Sequence, residues 1–183
     1  MNRKNRSKPI RRNRGLTLID LMIVITIAGT LITLAIPSWS RAFADKRLVG
    51  EAEQIATAIQ LARTETVSRN EGVSFSILHT PSGASCHVVH TGQSTECSCA
   101  DSGTAQCAAP GAVITAAVHH ASTQASLAHS IRFDPRNGTA SPTGTVVVRS
   151  TSGREVQNRV AITGRVRTCA TADGMAGITR CPG

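Results

Sequence analysis

Two sets of residues in this 183-residue chain have types and spacings suited to chemistry: six cysteines and a C-terminal group of arginines. The cysteines are Cys86, Cys97, Cys99, Cys107, Cys169 and Cys181. Thiols of this number either pair as disulfides or hold a metal ion, and six of them allow fifteen pairings. Cys169 and Cys181 flank one short Gly-rich segment with no other cysteine between them, so they are expected to pair. The other four are expected to staple the region around 91–111. A zinc site built from Cys97-x-Cys99 with His87 or His90 lacks the usual two-to-four-residue ligand spacing. No metal or other cofactor is therefore expected.

Residues 131–183 contain eight basic residues, all arginine (Arg132, Arg136, Arg149, Arg154, Arg159, Arg165, Arg167 and Arg180), against three acids. A guanidinium makes bidentate contacts with phosphate that an ammonium cannot. Arginine usage can also follow from a GC-rich genome alone, so spacing has to decide. In Gly164-Arg165-Val166-Arg167, an extended backbone puts Arg165 and Arg167 on one side. A disulfide at Cys169 would tether that segment. Arg159 and Arg180 join the candidate site by their proximity in sequence. Aromatic residues are only 2% of the chain, which argues against base stacking and for electrostatic, sequence-independent contact with a polyanion.

Catalytic patterns are missing. There is no G-x-S-x-G elbow, no H-E-x-x-H and no phosphate loop, so no catalytic residues are assigned and an enzyme is not expected. His119-His120 lies in an Ala-rich stretch and reads as a solvated strand end. Asn137-Gly138-Thr139 matches a glycosylation sequon and is discounted as chance.

The elements that must position these residues begin with a charge asymmetry. The formal net charge is +9. Residues 1–15 hold seven cations and no acid, and what remains is nearly neutral, with −3 over residues 16–130 and +5 over 131–183. Directly after this basic leader, residues 16–36 form an apolar run whose single charge is Asp20. At about 1.5 Å per residue the run spans roughly 30 Å, the thickness of a bilayer's hydrocarbon core. It is expected to be a transmembrane helix, with the cationic leader in the cytoplasm and everything after residue 37 on the far side, where disulfides form. Ala42-Phe43-Ala44 offers a small-x-small cleavage site, which would release a secreted, disulfide-rich binding protein; the apolar run exceeds the usual length of such a signal. A plain anchor would not carry Asp20, since a buried acid costs up to roughly 2.5–3.5 kcal/mol at the bilayer centre.

Beyond Pro37, Leu48, Ala52, Ile55, Ile59 and Ala62 recur at helical spacing. Residues 16 to about 70 therefore read as one long helix of roughly 80 Å, kinked near Pro37 and ended by Asn70-Glu71-Gly72. Its half over residues 37–71 is amphipathic and should pack on a small sheet. Residues 72–183 read as β-rich, with strands expected at 73–78, 86–90, 112–118, 131–134, 144–149 and 159–162. A turn is expected at Pro135-Arg136-Asn137-Gly138, and a loop over 91–111.

Arg14-Gly15-Leu16-Thr17-Leu18-Ile19-Asp20-Leu21-Met22 resembles the class III signal of type IV pilins and type II secretion pseudopilins, usually written G-F-T-L-I-E. Leu16 stands for the customary Phe and Asp20 for the customary Glu. Ala62-Arg63-Thr64-Glu65, with Ser68-Arg69-Asn70 and the strand-like run from Val73, is similar to the GspH/FimT branch of these proteins. The resemblance implies an α+β pilin-like fold in which a long helix packs on an antiparallel sheet. It also implies cleavage between Gly15 and Leu16 by a prepilin peptidase and N-methylation of Leu16. By the same resemblance the protein sits in the inner membrane as a single-pass chain with a periplasmic domain, and joins a pilus or pseudopilus through its N-terminal helix.

In such a bundle the carboxylate of Asp20 would pair with the terminal amine of a neighbouring subunit, since an unpaired charge in low dielectric is expensive. Gly164-Arg165-Val166-Arg167 resembles the G-R-x-R of DNA-binding FimT-type minor pilins, which act in natural transformation. That implies a DNA-binding minor pilin. The alternative is a structural GspH-like pseudopilin of type II secretion with no nucleic-acid role.

Overall fold

A computed structural model describes residues 17–92, 96–171, 175 and 177–182, with the backbone alone at residues 34–38. The chain divides into two units, residues 1–41 and 42–183. One helix, α1 (Leu18–Arg69), contributes to both.

In the first unit, α1 starts with a reciprocal cap. The Thr17 backbone N–H donates to Asp20 Oδ2 at 3.1 Å, the Thr17 hydroxyl donates to the same oxygen, and the Asp20 N–H donates to Thr17 Oγ1 at 3.3 Å. This satisfies donors that a helix start leaves without intrahelical partners. The apolar side chains that follow, from Leu18 to Ile32, are exposed. Among the described residues no helix is long and apolar enough to cross a membrane. The run expected to do so, residues 16–36, is described only in part, because Leu16 and the side chains of 34–38 fall outside. The expected cleavage at Gly15–Leu16 and the Pro37 side chain at the expected kink also lie outside the described residues.

The second unit packs α1 on two antiparallel sheets. Leu48, Ala52, Ile55, Ile59 and Ala62, the stripe read from the sequence, are completely buried. They meet Val73, Phe75, Ile131, Phe133, Val146, Val148 and Val156 in one core. Asn70, at φ 53°, turns the chain out of the helix. Thr66 fixes the corner, since its buried hydroxyl donates to Ala62 O at 2.8 Å and accepts the Val73 N–H at 3.1 Å.

The strands are β1 (Val73–His79), β2 (Ser85–Thr91), β3 (Cys97–Cys99), β4 (Ala105–Cys107), β5 (Val113–Val118), β6 (Thr123–Ser126), β7 (Ile131–Phe133), β8 (Ala140–Ser141), β9 (Gly144–Ser150), β10 (Glu155–Val160) and β11 (Val166–Ala170). They form a five-stranded sheet in the order β5-β2-β1-β7-β8, a four-stranded sheet β11-β10-β9-β6 and the small hairpin β3-β4. The α+β, helix-on-antiparallel-sheet fold is as expected.

Four details differ from the sequence reading. Strands β6, β8 and β11 lie where no strand is expected. The single expected sheet is two, plus a hairpin. The expected loop over 91–111 contains β3 and β4, a hairpin too short for a periodic signal. The strand expected at 159–162 is β10 at Glu155–Val160, and Ile162 lies in the turn after it. Polar Gln157 and Asn158 hid that start. Asn158 is fully buried because its amide donates to Ala52 O at 2.7 Å and its carbonyl accepts the Thr168 hydroxyl at 2.7 Å.

Candidate functional site

The basic site is carried by the β10–β11 hairpin. Alternation sends Val156, Asn158 and Val160 into the core and leaves Arg159 exposed on the outer face. On β11, Arg167 is exposed directly opposite Arg159. Arg165, exposed two residues earlier, lies at the hairpin tip, where its carbonyl accepts the Ala161 N–H at 3.0 Å and Gly164 N–H donates to Ala161 O at 2.8 Å. Gly164 is buried at φ 74°, and a Cβ there would lie 2.7 Å from Gly138 O and 2.9 Å from Arg63 Cδ. Glycine is required on both counts. Arg63 Nε donates to Gly138 O at 3.2 Å, so the helix, the 134–138 turn and the hairpin tip are locked together.

The tail reaches the site through a disulfide. Cys169 pairs with Cys181, as expected. Ala170 N–H donates to Thr179 O at 3.0 Å and Cys181 N–H to Ala170 O at 2.9 Å, laying the tail beside β11. Exposed Arg180 bridges in parallel to Ala170. Arg159 turns partly inward on its own surface, with Nη1 donating to Pro182 O at 3.0 Å and Nε to Gln157 Oε1 at 3.3 Å.

The eight C-terminal arginines therefore fall into separate groups. Arg149 pairs with Glu155 at 2.8 Å and Arg154 with Asp45 at 2.7 Å. Arg132 donates to Gly92 O at 3.1 Å. Among the described residues Arg159, Arg165 and Arg167 make no ion pair, and all three are exposed on the hairpin.

The remaining cysteines pair as Cys86–Cys99 and Cys97–Cys107, stapling the β3–β4 hairpin to β2. The donor atoms of His90, Cys97 and Cys107 lie within 4.8 Å of one another, but both sulfurs are committed to one disulfide. Ser76 Oγ lies 3.3 Å from His90 Nε2, and both side chains are buried.

His119 corrects the sequence reading. It is buried, not a solvated strand end, and its Nδ1 lies 2.7 Å from Glu51 Oε2 on α1. Its Nε2 lies 3.3 Å from His87 Nδ1, and the His120 N–H donates to the other Glu51 oxygen at 3.1 Å. The bond from His119 holds the Glu51 carboxyl below its usual range. Burial, then the nearby His119 charge, pushes His87 down to about 4. Nothing in the local pattern around His119 announces a partner 68 residues away.

Two crystal structures of the type IV minor pilin FimU from Pseudomonas aeruginosa PAO1 are similar to this chain. One is 18% identical with a TM-score of 0.47, covering 67% of this chain and 87% of FimU. The other is 17% identical with a TM-score of 0.44, covering 64% and 88%. No curated protein matches the chain. The family described as type II transport protein GspH matches residues 51–164. That segment runs from Glu51 on the helix to Gly164 at the hairpin tip, so Arg165, Arg167 and Arg180 lie beyond it. With well over half of its length matched, this chain belongs to the GspH family.

Proposed function

We propose that the protein is a minor pilin of a type IV pilus, placed at or near the tip, that binds DNA through its phosphates for uptake in natural transformation. The observation that carries this reading is the cluster of Arg159, Arg165 and Arg167, exposed on one face of the β10–β11 hairpin and free of ion pairs among the described residues. Guanidinium forks suit phosphate oxygens in a bidentate geometry. Contact with the backbone alone would be independent of sequence. If three to four phosphates are engaged, log K falls against log salt with a slope of about −3.

In this reading the leader is removed between Gly15 and Leu16 and Leu16 is methylated. The apolar half of α1 then sits in the inner membrane until assembly with other pilins, where Asp20 neutralises a neighbour's terminal amine. The test is DNA binding by the processed, detergent-solubilised protein at two salt concentrations, with mass spectrometry of its N-terminus. Retention at low salt, loss at high salt and a methylated Leu16 are expected. Absence of binding at low salt overturns the DNA role.

The second reading is a type II secretion pseudopilin with a structural role and no nucleic-acid partner. The family description favours it, since the matched segment ends before the arginine pair. The two readings share leader, processing and fold, and the same binding measurement separates them.

A further inference from the structure

The hairpin tip does not stand alone. The turn at 134–138, the tip at 161–165 and the end of α1 form one continuous surface. Arg63 Nε reaches Gly138 O at 3.2 Å, the Ala140 N–H donates to Ile162 O at 2.8 Å, and a Cβ built on Gly138 would lie 3.6 Å from Val67. Three exposed arginines, Arg63, Arg136 and Arg165, come to this surface from three separate elements. None of them makes an ion pair among the described residues.

Two acids lie within two residues of them in the sequence, Glu65 paired and Asp134 still charged. Glu65 is paired with Arg69 at 2.6 Å, and Asp134 Oδ1 accepts the Arg136 backbone N–H at 2.9 Å. Arg63 spends one of its five N–H donors on Gly138 and makes no other hydrogen bond among the described residues. Arg136 makes no side-chain hydrogen bond among them.

We propose that the anion-binding surface continues past Arg165 around the hairpin tip, with Arg136 and Arg63 as further contacts to phosphates of the same nucleic-acid backbone. This rests on the DNA-binding reading above and extends it to residues outside the G-R-x-R segment. Arg165 and Arg167, two residues apart in an extended chain, are separated by about 6.6 Å along the backbone. Arg136 and Arg63 lengthen that track onto neighbouring elements, so that a strand lying on β10 and β11 would wrap the end of the domain.

The experiment measures the salt slope of DNA binding for the full-length protein in detergent, using a fluorescently labelled duplex. Arg136→Gln is expected to shrink the slope by about one, and Arg63→Gln/Arg136→Gln by about two. Gln at 63 keeps an amide donor for Gly138 O. Arg136→Gln breaks no side-chain hydrogen bond among the described residues, so it remains informative if the Arg63 change unfolds the protein. Arg165→Ala/Arg167→Ala is measured alongside. If that pair weakens binding while Arg136→Gln leaves affinity and slope at wild-type values, the extension fails and the underlying reading stands. If the pair binds like wild type, the underlying reading fails and takes the extension with it.

Discussion

Gly164 rests directly against Arg63, with the site of a missing Cβ 2.9 Å from the arginine's Cδ and Nε. The glycine opens the basic hairpin segment and the arginine belongs to the Ala62–Glu65 segment of the helix, so two stretches a hundred residues apart meet at one contact. The hairpin that displays Arg165 and Arg167 is thereby aimed by the helix. Gly164→Ala is expected to cost about 1–3 kcal/mol, from positive φ and from the close approach to Gly138 O. A thermal melt measures the loss. DNA affinity should fall as well, because the tip must shift to admit the methyl group.

The buried chain Glu51–His119–His87 makes stability depend on pH. His87 titrates at about 4 in the folded protein against 6.5 ordinarily, so its unfolded form binds protons first. Its contribution is intact above pH 6.5 and declines as pH falls towards 4, by roughly 3 kcal/mol in all. Glu51, held below its usual range by His119, adds stability that is lost at still lower pH as its own folded value is crossed. His87→Gln, which keeps a bond to His119, is expected to flatten stability between pH 6.5 and 4 in denaturant titrations. An unchanged pH profile would contradict the assignment.

The Cys169–Cys181 bridge closes a 12-residue separation. Replacing both by Ser is expected to cost about 2–4 kcal/mol. It also releases the tail from β11 and from its Pro182 contact with Arg159. The expected signature is a lowered melting temperature with faster proteolysis after residue 171. A tail that stays protected would show that its hydrogen bonds suffice without the bridge.

Asp20 has two roles to separate. As the cap partner of Thr17 it stabilises the start of α1. As the proposed partner of a neighbour's amine it sets register during assembly. Asp20→Asn retains an oxygen that can accept from Thr17 and removes the charge. It should therefore keep the helix by circular dichroism while failing to enter filaments in a pilus-shearing assay. Normal incorporation would refute the pairing role.

The fold was legible where a pattern is local. The buried stripe from Leu48 to Ala62 follows the helical period, and the turn at 135–138 follows from its Pro, Asn and Gly. Strand β10 was misplaced because a polar residue, Asn158, is buried on a helix carbonyl, a partner that only tertiary structure supplies. Likewise His119 read as surface because its carboxylate lies on another element. Arg165 and Arg167 stand out by their spacing, and Arg159, chosen by proximity in sequence alone, lies directly across the hairpin from Arg167. The setting of the tip on Arg63 and Gly138 was hidden, since no single segment contains it.

Arg165 and Arg167 are proposed to hold DNA phosphates, and the most direct test is the salt dependence of DNA binding for the wild type and Arg165→Ala/Arg167→Ala, each shown by thermal melt to be folded. The hairpin contacts alone are expected to give the wild type a slope of about −3, steeper by about two with Arg63 and Arg136 engaged, and the double variant a slope shallower by about two, with affinity lower at every salt concentration. Equal affinity and equal slope in the two proteins would contradict it.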